Sequence, residues 1–331
     1  MNRLRFGVIG ANFITDWVIA GGLQDERFEL AAVYSRSQET ADAFAAKYNI
    51  PHAFSSLEAM VASPQIDAVY VASPNALHAA QSIFCMEHGK HVLCEKAFAS
   101  NAREVGEMIA AARKNKVALM EAMKPTLTPN FLAAREALAQ GRIGAVRRYF
   151  SCYCQYSSRY DKFREGVVLN AFQPELSNGA LLDIGVYTIY PMVVLFGRPQ
   201  SVKAAGLKLS SGVDGEGSVV FDYPTMDAAV LYSKIANSSL PTEIQGEDGN
   251  IVFDRINIIS EVNLHLRDGR KELLSRPVEL NEYYYEIKEF IDVVQSGRQE
   301  STINSWENSL ITMEIMDEVR KQLGVVYPAD L

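Results

Sequence analysis

Across residues 3–122, short apolar runs alternate with amphipathic ones, and that alternation leaves few folds open. Leu4–Ile9 reads as a first strand, and a helix follows from about Asn12 to Leu23. Phe28–Tyr34 is a second strand, Gln38–Tyr48 an alanine-rich helix, and His52–Phe54 a short third strand. Ser55-Ser56-Leu57-Glu58 carries the capping residues of another short helix. Ala68–Ala72, a helix over Ala76–His88, the run His91–Cys94, a helix over Ala102–Asn115 and Val117–Met120 complete the series. Regular strand–helix alternation means right-handed βαβ units and a doubly wound parallel sheet.

From Met123 the pattern changes. A helix around Asn130–Gln140 and a long alternating strand over Val146–Tyr156 precede an apolar helical stretch, Ala180–Leu195. Strand patterns then recur without helices between them: Val202–Leu209, Ser218–Tyr223, Asp227–Lys234, Thr242–Gly246, Ile251–Phe253 and Val262–Leu266. Glu247-Asp248-Gly249-Asn250 and Arg267-Asp268-Gly269 are hairpin turns by composition. Consecutive strands without crossovers predict an open antiparallel sheet, so the second domain is α+β. Two helices, Glu282–Gln295 and Ser305–Leu323, close the chain. The expected domains are 1–122 and 123–331.

The 331 residues suit two domains. A net charge of −8 argues against nucleic acid or an anionic membrane surface as partner. No apolar run is expected to reach the ~18 residues of a membrane span. The N-terminus enters a strand at once, so no leader is expected and the expected location is the cytoplasm. The four cysteines form no C-x-x-C pair and the five histidines show no metal spacing, so the expectation is free thiols and no metal.

Ligands of open α/β sheets bind beyond the carboxyl ends of the strands. The run His91-Val92-Leu93-Cys94 ends there in Glu95-Lys96, an acid and an amine at a buried strand's edge. The first turn, Gly10-Ala11-Asn12-Phe13-Ile14-Thr15, keeps only the first glycine of G-x-G-x-x-G. Its place between strand and helix still directs backbone N–H groups and the helix dipole of Gly10, Asn12, Phe13 and Ile14 toward a pyrophosphate. At the end of the second strand stand Ser35 and Arg36, where an NAD enzyme would carry an acid. A hydroxyl and a guanidinium suit a 2′-phosphate, so NADP is expected over NAD. Ser73-Pro74-Asn75, with His78 one turn on, hold the next loop open over the same crevice; Asn75 reads as a helix cap or a ligand contact.

Taken together, Gly7-Val8-Ile9-Gly10, Ser35-Arg36, Ser73-Pro74-Asn75 with His78, Cys94-Glu95-Lys96 and Gly179–Tyr187 make the chain resemble the glucose–fructose oxidoreductase/inositol dehydrogenase (Gfo/Idh/MocA) family. The resemblance covers nearly the whole chain. It implies a Rossmann domain, a C-terminal sheet that makes homodimers or homotetramers, and hydride transfer between a nicotinamide and an alcohol or aldehyde carbon. It implies that Glu95 contacts cofactor ribose and that Lys96 lies beside the reacting oxygen of a small-molecule substrate. Tyrosine at 187, where many members have histidine, resembles the branch of dimeric dihydrodiol dehydrogenases and NADP-dependent xylose dehydrogenases. Three positions depart from the family pattern: Asn12, Ala97 in place of proline, and Met123-Lys124-Pro125.

Asp183 and Tyr187, four apart on a helix, share one face among apolar neighbours. A phenol near ~10 titrates lower beside an ammonium, and that ammonium also polarises a substrate oxygen as charge develops. The expected catalytic set is therefore Tyr187 as acid/base, Lys96 as its assistant, and Asp183 orienting the substrate or the lysine. The competing expectation is a cofactor-binding sensor on the same scaffold, which would need neither Lys96 nor Tyr187.

Overall fold

The computed structural model describes residues 3–331. In chain order the first half runs β1 (Leu4–Ile9), α1 (Phe13–Gly22), β2 (Phe28–Tyr34), α2 (Gln38–Tyr48), β3 (His52–Phe54), α3 (Leu57–Ala62), β4 (Ala68–Val71), α4 (Asn75–Glu87), β5 (His91–Glu95), α5 (Ala102–Asn115) and β6 (Leu119–Ala122). It continues α6 (Pro129–Ala139), β7 (Val146–Cys154), α7 (Ser158–Arg164), α8 (Val186–Phe196), β8 (Ser201–Lys208), β9 (Asp214–Asp222) and β10 (Asp227–Ser233). The hairpin strands β11 (Thr242–Gly246), β12 (Gly249–Phe253), β13 (Val262–Leu266) and β14 (Lys271–Leu273) precede α9 (Glu282–Gln295) and α10 (Trp306–Leu323).

The first unit comprises the chain up to Lys124 together with Glu279–Trp306. Its six strands are all parallel, in the order β3-β2-β1-β4-β5-β6, so the chain reverses direction across the sheet between β1 and β4. Such a reversal is where open α/β sheets bind dinucleotides. Phe6, Val8, Val69, Tyr70, Leu93 and Cys94 are buried, as strands covered on both faces must be. Helix ends follow the sequence signals: Asn101 accepts from Glu104 N–H at 3.0 Å while Glu104 Oε2 accepts from Ser100 N–H at 2.9 Å.

The unit is discontinuous, where composition suggests one boundary at 122. Helix α9 and the segment after it return to the sheet because their polar groups complete it. Leu119 N–H donates to Gln299 O at 2.9 Å, Asn304 Nδ2 bridges the carbonyls of Glu121 and Met123, and Trp306 Nε1 donates to Leu119 O at 2.9 Å. Arg27 ties Asp25 to Asp292, both at 2.6 Å.

The second unit, Pro125–Val278 with Glu307–Leu331, carries an eight-stranded sheet in the order β14-β13-β12-β11-β7-β10-β9-β8. All neighbours are antiparallel except β7 and β10. The parallel pair arises because two helices and the β8–β9 hairpin separate β7 from β10, so the chain re-enters the sheet in the same direction.

Contrary to the sequence expectation, Pro174–Phe196 is long and apolar enough to cross a membrane by length and composition. Most of it is buried inside the fold, as a core helix. Within it a π turn, Leu181–Gly185, runs directly into α8.

Candidate active site

At the nucleotide edge of the first unit, Gly10 has φ +105°, and a Cβ there would stand 2.6 Å from the Ala72 carbonyl oxygen. Only glycine allows β1 and the end of β4 to come so close. Asn12 fills the second-glycine position as an N-cap. Its Oδ1 accepts from Ile14 N–H (2.8 Å) and Thr15 N–H (3.3 Å), and its Nδ2 donates to Ala72 O (2.9 Å). The Ile14 amide is thereby used within the turn, while Asn12 and Phe13 stand exposed at the start of α1.

Ser35 and Arg36 follow β2 directly; Arg36 is exposed and forms no ion pair among the described residues. Ser73 Oγ is buried with no hydrogen-bond partner. A glycine turn at the start of a helix, an uncommitted guanidinium and an orphaned hydroxyl around the β1/β4 reversal fit a dinucleotide phosphate chain.

Two residues of the expected cofactor set have other local tasks. Pro74, not Asn75, occupies the N-cap position of α4, and no side chain caps that helix. His78 is buried, with Nδ1 2.9 Å from Ala97 O and Nε2 2.7 Å from Ser73 O. Burial lowers its pKa, opposed by the two carbonyls, and Lys96 lowers it further. His78 thus pins the Ser73 loop to the Lys96–Ala97 segment, whose peptide bond is cis.

Glu95 ends β5 in a buried position, accepting from Tyr70 O–H at 2.5 Å and from Lys96 N–H at 3.2 Å. Burial pushes its carboxyl up, while Tyr70, Lys96 and Lys124 pull it down. Lys96 itself is half-buried.

A neighbouring acid group has no counterpart in the sequence reading. Glu286 of α9 is fully buried, neither of its carboxylate oxygens has a hydrogen-bond partner, and burial followed by the Glu95 charge lifts its pKa well above the carboxylate range. Lys124, the departure left without a role above, supplies the compensating charge. It is buried, ion-paired with Glu282, and 4.4 Å from the Tyr283 ring centroid. Glu286 lies four residues after Glu282, inside the stripe of Tyr283, Ile287 and Phe290; an acid at an apolar position was the available signal.

In the second unit, the π turn sets the display of the remaining candidates. Asp214 Oδ2 accepts from Leu181 N–H at 2.7 Å, and Gly179 at φ +147° leaves room where a Cβ would meet Asp214 Oδ1 at 2.3 Å. From residue 179 to 193 every position is buried except Asp183 and Tyr187. Tyr187 meets the Tyr153 ring edge-on, centroids 5.8 Å apart, and Tyr153 is held by Gln155 and Asn257. Tyr190, read as packing, is buried with its hydroxyl 3.1 Å from Ser309 Oγ.

Asp183 has a lysine partner from its own unit: it is ion-paired with Lys234, directly after β10. Sequence reasoning missed Lys234, because a lysine ending an alternating strand reads as solvated. Tyr160 and Phe163 of α7 pack on Phe172, whose ring lies 5.5 Å from Lys234 Nζ.

A six-stranded parallel sheet with this reversal, glycine turn and strand-edge lysine defines a dinucleotide-dependent oxidoreductase. The family model described as "Oxidoreductase family, NAD-binding Rossmann fold" matches residues 4–123, and the GFO/IDH/MocA C-terminal domain matches residues 131–252. The chain belongs to the Gfo/Idh/MocA family of NAD(P)-dependent oxidoreductases. It is 56% identical over 327 residues to scyllo-inositol 2-dehydrogenase (NADP(+)) IolU of Bacillus subtilis, covering 99% of both chains. With trans-1,2-dihydrobenzene-1,2-diol dehydrogenase of Xenopus tropicalis it shares 33% identity, covering 98% of this chain and 99% of that one. The fold is also that of the aldose-aldose oxidoreductase from Caulobacter crescentus, with a TM-score of 0.87 at 20% identity over 97% of both chains.

Proposed function

We propose that the protein is an NADP(H)-dependent dehydrogenase acting on a carbinol carbon of an inositol or a related polyhydroxylated ring or chain, such as a polyol, an aldose or a dihydrodiol. The observation carrying this reading is the exposure pattern from residue 179 to 193: Asp183 and Tyr187 alone escape burial, one turn apart. A core stretch that, over residues 179–193, uncovers only a carboxylate and a phenol offers an acceptor and a proton carrier to a hydroxylated ligand. The 56% identity to an NADP(+)-dependent scyllo-inositol dehydrogenase supports an inositol as first choice. Arg36, exposed after β2 with no ion pair among the described residues, supports NADP.

Hydride donation and acceptance are the chemistry a bound nicotinamide supplies. The Tyr187 phenolate takes the proton from the reacting hydroxyl as the carbonyl forms, and the resulting phenol returns it in the reverse direction. In this reading Lys96 favours the phenolate and stabilises the negative charge that develops on the substrate oxygen. Glu95 keeps a carboxylate next to the lysine and to the cofactor ribose. Asp183 accepts hydrogen bonds from a neighbouring substrate hydroxyl. His78, Ser73 and Asn75 shape the loop under the cofactor, and Gly10, Asn12, Phe13 and Ile14 form the pyrophosphate turn.

Homodimers or homotetramers through the C-terminal sheet fit its outer strands, where Leu207 and Val220 are exposed apolar side chains; light scattering after gel filtration reads the state directly. A reducing cytoplasm suits four cysteines that are all free. The functional reading is tested by incubating the protein with NADP⁺ and a panel of inositols, polyols, aldoses and a dihydrodiol while following reduced-cofactor absorbance. Turnover with at least one inositol is expected. Thermal stabilisation by NADP⁺ with no turnover across the panel would instead identify a sensor.

A further inference from the structure

We infer that Lys234 is a substrate-positioning residue, holding Asp183 charged and correctly turned to receive the hydroxyls of a polyhydroxylated substrate. This rests on the dehydrogenase reading above and assigns a residue that reading does not contain.

Lys234 is not a flexible surface lysine. Its backbone N–H donates to Gly215 O at 2.9 Å, its carbonyl accepts from Ser157 N–H at 2.8 Å, and its Nζ lies 5.5 Å from the Phe172 ring centroid. The ammonium is therefore a fixed point charge in a nearly dry position. Burying an ammonium is unfavourable unless a counter-charge meets it, and Asp183 does.

The pair is unequal in exposure, and that inequality points to ligand presentation. The Lys234 side chain is 4% exposed and that of Asp183 36%. A pair serving only to hold the core together would be covered on both sides, and two apolar side chains of like volume would serve as well. Here the cation stands behind the carboxylate, which faces outward beside Tyr187. Asp214 also interacts electrostatically with Lys234 and anchors the π turn through Leu181 N–H, so the lysine that pairs with Asp183 also faces the acid that anchors the turn carrying it. An ionised acceptor held this way discriminates strongly for substrates that present a hydroxyl next to the reacting carbon.

The test compares wild type, Lys234→Met, Asp183→Asn and the double variant in the full chain, with scyllo-inositol and NADP⁺. Lys234→Met is expected to raise KM for scyllo-inositol about 10- to 100-fold, with a smaller change in kcat and NADP⁺ affinity within about twofold. The double variant is expected to match Asp183→Asn in KM, because Lys234 acts only through Asp183. Should Lys234→Met not fold, that last comparison decides alone, since the double variant removes both charges together. Losses that multiply in the double variant, or a Lys234→Met protein of lower thermal stability and unchanged KM, overturn the inference while leaving the dehydrogenase reading intact. Absence of wild-type turnover across the inositols, polyols, aldoses and dihydrodiol overturns both.

Discussion

Replacing Asp214 by asparagine isolates one titrating group under the active-site helix. Burial raises the Asp214 carboxyl from 3.8 to about 6, against the opposing pull of Leu181 N–H, its own backbone N–H, Lys234 and Arg320. The folded state therefore holds a proton that the unfolded state releases. The associated stability is fully present below about pH 4 and is lost as pH rises through about 6. A shift of about two units corresponds to about 3 kcal/mol. For a domain of roughly 150–250 residues that is about 6–12 °C in melting temperature. Asparagine keeps an oxygen to accept from Leu181 N–H and cannot titrate. Melting temperatures of wild type and Asp214→Asn, measured by scanning fluorimetry in matched buffers from pH 4 to 8, should therefore diverge. The variant gains on wild type by that amount as pH rises, with most of the change complete by pH 7. A difference between the two proteins that stays flat with pH would refute a raised carboxyl at this position.

Three further substitutions separate the parts of the first unit. Arg36→Ala should weaken NADPH binding by about 10- to 100-fold and leave NADH nearly unchanged in calorimetric titrations; equal losses for both would remove the 2′-phosphate role. Glu286, with its pKa raised by burial, holds a proton that unfolding releases, so its contribution to stability also falls as pH rises above the ordinary carboxylate range. Glu286→Gln should thus exceed wild type in melting temperature at pH 8, by a margin that shrinks toward pH 5; a constant offset would show Glu286 already ionised. Lys124→Met leaves the Glu95, Glu282 and Glu286 group short of a cation and should cost about 3–5 kcal/mol in urea unfolding. Much of that loss should return in the Lys124→Met/Glu282→Gln protein, which removes the paired carboxylate as well, and additive losses would place Lys124 outside the cluster.

The first sheet was legible because periodicity carries it. Each of β1, β2, β4 and β5 is an apolar run that parallel pairing buries on both faces, so no other arrangement accommodates the pattern. The return of Glu279–Trp306 to that unit was not legible, since nothing in a helix's own period names its partner. Asn304 and Trp306 hydrogen-bond to backbone carbonyls near β6, and carbonyls leave no mark in a sequence. The parallel β7–β10 pair escaped for a related reason: pairing direction depends on where a long connection returns, not on the strands themselves.

At the site, the residues that the sequence singles out carry distinctive local signals, and residues that meet them only through space do not. Glu95 and Lys96 stand at a strand end, and Asp183 and Tyr187 at helical spacing. Lys234 is 51 residues from Asp183, and no spacing rule connects them. His78 was placed by its motif, and that both of its ring nitrogens face protein carbonyls could not be read from it. The π turn was read as ordinary helix because its composition is helical; its hydrogen-bond pattern depends on Asp214 and Gly179, which are far apart in the chain.

The proposed chemistry is tested most directly by the rate of NADP⁺ reduction with scyllo-inositol in wild type, Tyr187→Phe and Lys96→Met, each shown to bind NADPH. Phenylalanine removes the proton carrier while keeping the ring against Tyr153, and methionine removes the ammonium at similar length. Each variant should retain cofactor binding and lose turnover by ~10²–10⁴-fold. Near-wild-type turnover in both would contradict Tyr187 as the acid/base and Lys96 as its assistant.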